Sequence, residues 1–372
     1  MFRPALLRTR SGTLALLLGA GAGAALAQDA RKPQKNLKPL VIDKQGSTDA
    51  GGGVLTFADG SRRDYDYLYA YYQIPVNARK YPLVMWHGCL SKAWETRVDG
   101  GPGYQSLMVQ KGYPVYIIDQ PRTSRGARGL GAYSFGAVTT GSDCGWNTFR
   151  YGLWVPPGAP TFFPGVQLSR DPESVTRLCR YGGSPGGPPI GRNDADRAIP
   201  VDAVSALIDK MGPTLLVTHS NSGQYGWLTR IKNDKVKGIV AYEPATFVYP
   251  SDALPPPVPT NDAQVAAINE PIVVSPAEFN RLTTIPIHIV YGDNIEFTTP
   301  SSIFGVELWR VVAQRVQQFA DAANRRGGDV TLLYLPDIGV RGNTHFPFAD
   351  LNNEEVADLM SQFLHEKGLD KR

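Results

Sequence analysis

Residues 215–227, LLVTHSNSGQYGW, carry an apolar stretch straight into a cluster of small polar side chains and then into a helix-like run. A serine at that point can simply cap the helix. It can also stand in a strained strand-to-helix turn as a nucleophile, and then the residues two before and two after it must be small so that strand and helix can approach. With Ser220 at the centre those residues are Thr218 and Ser222, followed by Gly223. With Ser222 at the centre they are Ser220 and Gln224, and Gln224 is too large. Ser220 is the candidate nucleophile.

A serine hydroxyl attacks only when a base takes its proton, and the chain offers five histidines. His87 closes the run MWHGC, His219 adjoins the serine, His288 lies within an apolar strand and His365 is on the terminal helix. His345 is different: it sits in the polar loop DIGVRGNTHFPFAD just before the last helix, where the chain order serine, acid, histidine puts a base. The acid must be buried to orient the imidazole and stabilise its protonated form. Two carboxylates end consecutive apolar runs, Glu243 after GIVAY and Asp293 after IPIHIVYG. Asp293 follows the later run, the more usual place. Glu243, wedged between an apolar run and Pro244, is hard to explain as solvent decoration. The backbone N–H groups of Cys89, in HGC, and of Asn221, next after the serine, are the candidate donors to a developing oxyanion.

Six short apolar runs must position these residues: PLVMWHG, YPVYIIDQP, TLLVTHS, VKGIVAYEP, IPIHIVYGD and DVTLLYLPD. Each reads as a strand buried on both faces. GYQSLMVQKG, AIPVDAVSALIDKMG, GVELWRVVAQRVQQFADAANRRGG and NEEVADLMSQFLHEKG read as helices, and strands alternating with helices imply an α/β fold with a mostly parallel sheet covered on both faces. GVLTFADG and YDYLYAYYQIP around an Asp-Gly turn predict an antiparallel pair at a sheet edge. Residues 121–193 and 245–282 are too long for ordinary loops. They leave the carboxyl ends of strands, where such sheets keep their ligand sites, and are expected to form a cap over a pocket. Arg122, Arg125 and Arg128 within the first are expected to be solvated near the pocket mouth, with recognition of an acidic substrate group as the alternative.

The first 27 residues hold Arg3, Arg8, Arg10 and no acid, then a short apolar run and Ala25-Leu26-Ala27, the pattern of a secretory signal peptide cleaved near Ala27. Residues 28–51 read as a flexible N-terminal segment and 52–372 as the domain. Losing the leader lowers the net charge from +4 to +1. A nearly neutral chain has no electrostatic case for nucleic acid, and no later segment is apolar enough for stable membrane insertion. Export permits a disulfide; Cys144 with Cys179 is the preferred pair, closing a loop of about 36 residues.

The turn at Ser220 resembles the nucleophile elbow of α/β-hydrolases. From about residue 52 to 366, MWHGC with WETRVDG, GYPVYIIDQPRTSRG, THSNSGQ, GIVAYEPA and GNTHFPFADLNNEEVADLM resemble bacterial secreted serine esterases whose acid is a glutamate after the sixth strand. The resemblance implies Ser220 as nucleophile, Glu243 as acid and His345 as base, with Asp293 as the alternative acid. It implies a small-molecule ester substrate and no metal or organic cofactor. HGC stands where such enzymes carry His-Gly-Gly-Gly. An amidase or lactonase with the same residues, or an inactive binding protein on the same scaffold, are the competing readings, and a homo-oligomer is possible. GLGAYSFG at 129–136 has the wrong spacing for a dinucleotide loop.

Overall fold

Side chains that alternate along a strand can all be apolar only if both faces of the sheet are covered, and five of the six runs meet that condition; the sixth, DVTLLY, read above as buried on both faces, lies at the sheet edge with only Val330 buried. The computed structural model describes residues 39–87, 91–126, 129, 144–181 and 191–372. Its main sheet has eight strands: β1 (Ile42–Thr56), β2 (Arg62–Pro75), β3 (Leu83–His87), β4 (Val115–Asp119), β5 (Thr214–His219), β6 (Val236–Tyr242), β7 (Pro286–Tyr291) and β8 (Asp329–Tyr334). Their spatial order is β1-β2-β4-β3-β5-β6-β7-β8. β2 runs antiparallel to β1 and β4, and the strands from β4 to β8 are mutually parallel.

Alternate side chains feed two cores. Val84, Trp86, Leu216, Ile239, Ile287 and Ile289 join a cluster with α2 (Asp194–Met211), α3 (Ser222–Lys232) and α4 (Phe304–Arg325). Leu83, Met85, Leu215, Val217 and Val240 point the other way and are equally buried, as are Leu107 and Met108 of α1 (Tyr104–Gln110) and Val356 and Met360 of α5 (Asn353–Glu366). Helix α2 shows why the sequence starts and stops where it does. The Asn193 side chain accepts the Asp196 N–H at 2.9 Å, and Gly212 ends the helix at φ +91°.

The sheet begins earlier than expected. Residues 42–51, read above as part of a flexible segment, are the first two-thirds of β1, paired from Ile42↔Pro75 to Gly51↔Tyr67. Their polar composition hides a strand because β1 is an edge strand and only Ala50 along it is buried. Each long insertion carries its own structure. In the first, Cys144 is bonded to Cys179, and Gly152–Leu153 pairs with Thr161–Phe162. In the second, Val248–Pro250 pairs with Ile272–Val274, while Phe247 and Phe279 are buried against Trp227 and Phe319.

Candidate active site

Strand β5 ends at His219 and α3 starts at Ser222, so Ser220 and Asn221 make the whole turn. Ser220 has φ +54°, a conformation that costs a non-glycine residue about 1–3 kcal/mol and persists where neighbours enforce it. The Ser220 N–H is fixed to the Tyr242 carbonyl at 3.0 Å, and the Gly223 N–H returns to the Ser220 carbonyl at 3.0 Å. A Cβ at Gly223 would sit 2.6 Å from the Pro244 Cβ. Only glycine lets α3 start this close to the neighbouring strand end. The Asn221 N–H stands at the open start of α3, where the first N–H groups lack intrahelical acceptors.

Ser222 is spoken for. Fully buried, its Oγ lies 2.6 Å from the Trp86 carbonyl and 2.8 Å from that of His219, and it takes the His219 N–H at 2.9 Å. It ties the elbow to β3 and has no role left for attack.

Glu243 leaves β6 with φ +53°, its N–H bonded to the Val290 carbonyl at 2.9 Å. Its carboxylate is wholly buried. Oε1 accepts the Gly292 N–H at 2.5 Å and Arg150 Nη2 at 2.5 Å; Oε2 is 3.3 Å from His345 Nδ1. A carboxylate is an acceptor, so Nδ1 carries the proton and the His345 Nε2 lone pair is left for a substrate-side hydroxyl. Burial pushes the Glu243 carboxyl up, and the Arg150 charge and the Gly292 N–H pull it back. Burial first, then the positive charge of Arg150, hold the His345 imidazole well below its usual range, so it rests neutral.

His345 is held on all sides. Its N–H donates to the Phe149 carbonyl at 2.9 Å, its carbonyl accepts His219 Nε2–H at 2.8 Å, and its ring stacks on Phe149 at 5.2 Å between centroids. Trp309 and His219 flank it at 4.7 and 4.5 Å. His219, the residue next to Ser220, thus joins the elbow to the backbone of the candidate base, His345.

Asp293, two residues past β7, does not meet the imidazole. Its carboxylate takes the N–H groups of Asn294 at 2.7 Å and Gly342 at 2.8 Å, and its own N–H donates to the Asn343 carbonyl at 2.8 Å. It clamps the histidine loop. Gly292 lets that loop come close, since a Cβ there would lie 2.6 Å from the Thr344 carbonyl.

Three groups at the site were not singled out from the sequence. Arg150 and Phe149 come from the irregular first insertion, with no periodicity to mark them. Asp350, buried, accepts Thr344 N–H and Oγ1–H at 2.7 Å each and Asn343 Nδ2–H at 3.1 Å, and burial pushes it up to about 7. An acid five residues after the histidine was the available signal.

The other expectations divide. His87 is half-buried beside His219, its imidazole held down to about 3 by desolvation, while His288 stacks on Phe363 and His365 pairs with Asp370. Arg122 is not solvated as expected, since it forks onto Asp66 at 2.8 and 3.0 Å, whereas Arg125 is exposed as expected while binding Asp119 at 2.5 Å over the Tyr69 ring. Cys89 and Arg128 lie outside the described residues. Among the described residues no cluster of His, Cys, Asp or Glu is placed to hold a metal ion.

No protein-family model matches the chain. A protein described as "Probable secreted lipase phiG", from a fungal species (strain ATCC 74256), is 27% identical over 356 residues, covering 86% of this chain and 92% of that one. A solved structure described as that of a novel bacterial esterase superposes with a TM-score of 0.66 at 27% identity, covering 90% of this chain and 99% of the other.

Proposed function

We infer that this chain, which has the α/β-hydrolase fold and resembles the bacterial esterases, is a carboxylic ester hydrolase working by acyl transfer through Ser220. The observation that carries the reading is the buried Glu243–His345 pair at 3.3 Å, set at the carboxyl ends of the parallel strands beside a serine held at φ +54°. The lipase and esterase likenesses support the reaction class.

In this mechanism Ser220 Oγ attacks the ester carbonyl carbon while its proton passes to His345 Nε2. The developing oxyanion is met by the Asn221 N–H and, on the sequence reading, that of Cys89. The tetrahedral intermediate expels the alcohol, which takes the proton back from the imidazolium. Water then repeats the sequence on the acyl-serine, releasing the acid and restoring the hydroxyl. Glu243 keeps the ring oriented and balances its charge in each half. Among the described residues no helix is long and apolar enough to cross a membrane. The signal-like leader, the Cys144–Cys179 bond and the secreted relative support an exported enzyme.

Purified mature protein treated with a fluorophosphonate and digested for mass spectrometry is expected to carry one adduct, on Ser220, and to lose hydrolysis of p-nitrophenyl esters in step with labelling. An adduct elsewhere, or full hydrolysis by Ser220→Ala, overturns the reading.

A further inference from the structure

Among the described residues, Arg150 is the cation in contact with the candidate triad. It is 3% exposed and has φ +57°, the third non-glycine residue at the site in the left-handed region, after Ser220 and Glu243. Its guanidinium is used as a fork: Nη2 donates to Glu243 Oε1 at 2.5 Å and Nε to the Asp293 carbonyl at 2.8 Å. The guanidinium lies over the Trp309 ring, 4.8 Å from its centroid, and Trp309 also packs on His345. Nη1 is buried with no hydrogen-bond partner among the described residues. The carboxylate paired with this guanidinium is the one on His345.

A strained backbone, a deeply buried cation and an unpartnered N–H are each costly. A fold that only needed to fill this space could do so with an apolar side chain. We propose that Arg150 is a positioning residue of the triad, its fork holding the Glu243 carboxylate ionised and aimed at His345 inside a fully buried site. This rests on the hydrolase reading above.

The physical need is specific. An isolated carboxylate wholly removed from water takes up a proton. A protonated Glu243 would stabilise the imidazolium no better than an amide. Arg150 makes the resting site neutral, with Arg⁺ and Glu⁻ compensated and His345 uncharged. Without it the Glu243–His345 pair would bind one shared proton at higher pH, and that proton would block attack by Ser220. Other groups facing the pair do not supply this charge. His87 and His219 are held neutral by burial, and Tyr291 and Tyr334 are pushed up by burial and stay protonated. Asp350 adds only negative charge when it ionises near 7.

The test is the pH profile of kcat/KM for p-nitrophenyl acetate, from about pH 5 to about pH 10, in wild type, Arg150→Lys, Arg150→Met and Ser220→Ala. The wild-type and Arg150→Met profiles are repeated in an Asp350→Asn background, so that the titration of Asp350 is not mistaken for that of the pair. In Arg150→Met the acidic limb is expected to move up by about 1–3 pH units, with KM within about twofold and most of the lost rate recovered in alkali. Arg150→Lys keeps the charge but not the fork; its limb is expected to stay within about half a unit of wild type while kcat falls. An unmoved limb in Arg150→Met overturns the proposal, as does equal loss at every pH in both variants. A limb moved by a full unit in Arg150→Lys overturns it even if Arg150→Met does not fold. If Ser220→Ala keeps its rate the hydrolase reading fails; if it is inactive and the Arg150 limbs coincide with wild type, only this inference fails.

Discussion

Replacing Glu243 by Gln keeps the shape of the side chain and removes the charge that balances an imidazolium at His345. At 3.3 Å, two unit charges in a medium of effective dielectric constant about 20 attract by about 5 kcal/mol. A transition state deprived of that term slows by between about 10³ and 10⁴. Because an ester of neutral charge does not touch Glu243, KM is expected to change little and kcat to carry the loss. The matched control is Asp293→Asn. Asp293 holds the Gly342 and Asn294 N–H groups, which an amide oxygen can still accept, so the fall expected there is about tenfold or less. Stopped assays on p-nitrophenyl butyrate with both variants, each checked for a cooperative thermal transition, read the difference. That check is needed because Glu243→Gln leaves the Arg150 charge unpaired, which costs about 3–5 kcal/mol of stability. If Asp293→Asn loses a thousandfold while Glu243→Gln stays within tenfold, the acid has been misassigned and the reasoning from burial and distance is wrong.

Other outcomes follow from the same geometry. Ser222→Ala is expected to lower stability by about 1–3 kcal/mol, through the Trp86 and His219 backbone groups it orphans, yet still to label at Ser220; urea unfolding with fluorophosphonate mass spectrometry reads both. Reducing Cys144–Cys179, 35 residues apart, is expected to cost about 3–4 kcal/mol and to weaken hydrolysis, because the same segment carries Phe149 and Arg150; unfolding and rate measured with and without reductant check it. Burial holds His87 down to about 3 and His288 to about 4, so between pH 7 and 5 the unfolded chain binds protons there that the native chain does not, and stability falls on acidification. Each is worth about 2 kcal/mol over that window. Asp350, raised to about 7, is protonated in the native state first and opposes the fall by a similar amount. Asp350→Asn is therefore expected to steepen the acid loss, read as urea midpoints at the two pH values; an unchanged slope would refute the assignment.

The parts of the site that depend on local steric rules were legible in the chain itself. The apolar runs are short and unbroken because both faces of β3 to β7 are covered, and that marked those strands; β8, at the sheet edge, buries only Val330. Ser220 was separable from Ser222 because Gln224 is too large two residues on from Ser222, and the buried bonds of Ser222 give the physical sense of that choice. His345 was singled out as the candidate base because its loop precedes the last helix, and its ring lies 3.3 Å from Glu243. Where composition and burial part company the reading went astray: residues 42–51 are polar yet form strand, because an edge strand needs a partner more than an apolar face. Arg122 looked solvated, and only the arrival of Asp66 from β2 turned it inward.

What the amino-acid order determined by itself is the sheet, the sharp turn at Ser220 and the succession of serine, acids and histidine, since these depend on neighbours a few residues apart. Tertiary structure alone decided which acid faces the histidine ring, and it brought Arg150 to that acid. Glu243 and Asp293 follow adjacent strands at the same end of the sheet, and the choice between them turns on distances between chain segments about fifty to a hundred residues apart, set by how β6, β7, the first insertion and the histidine loop pack together.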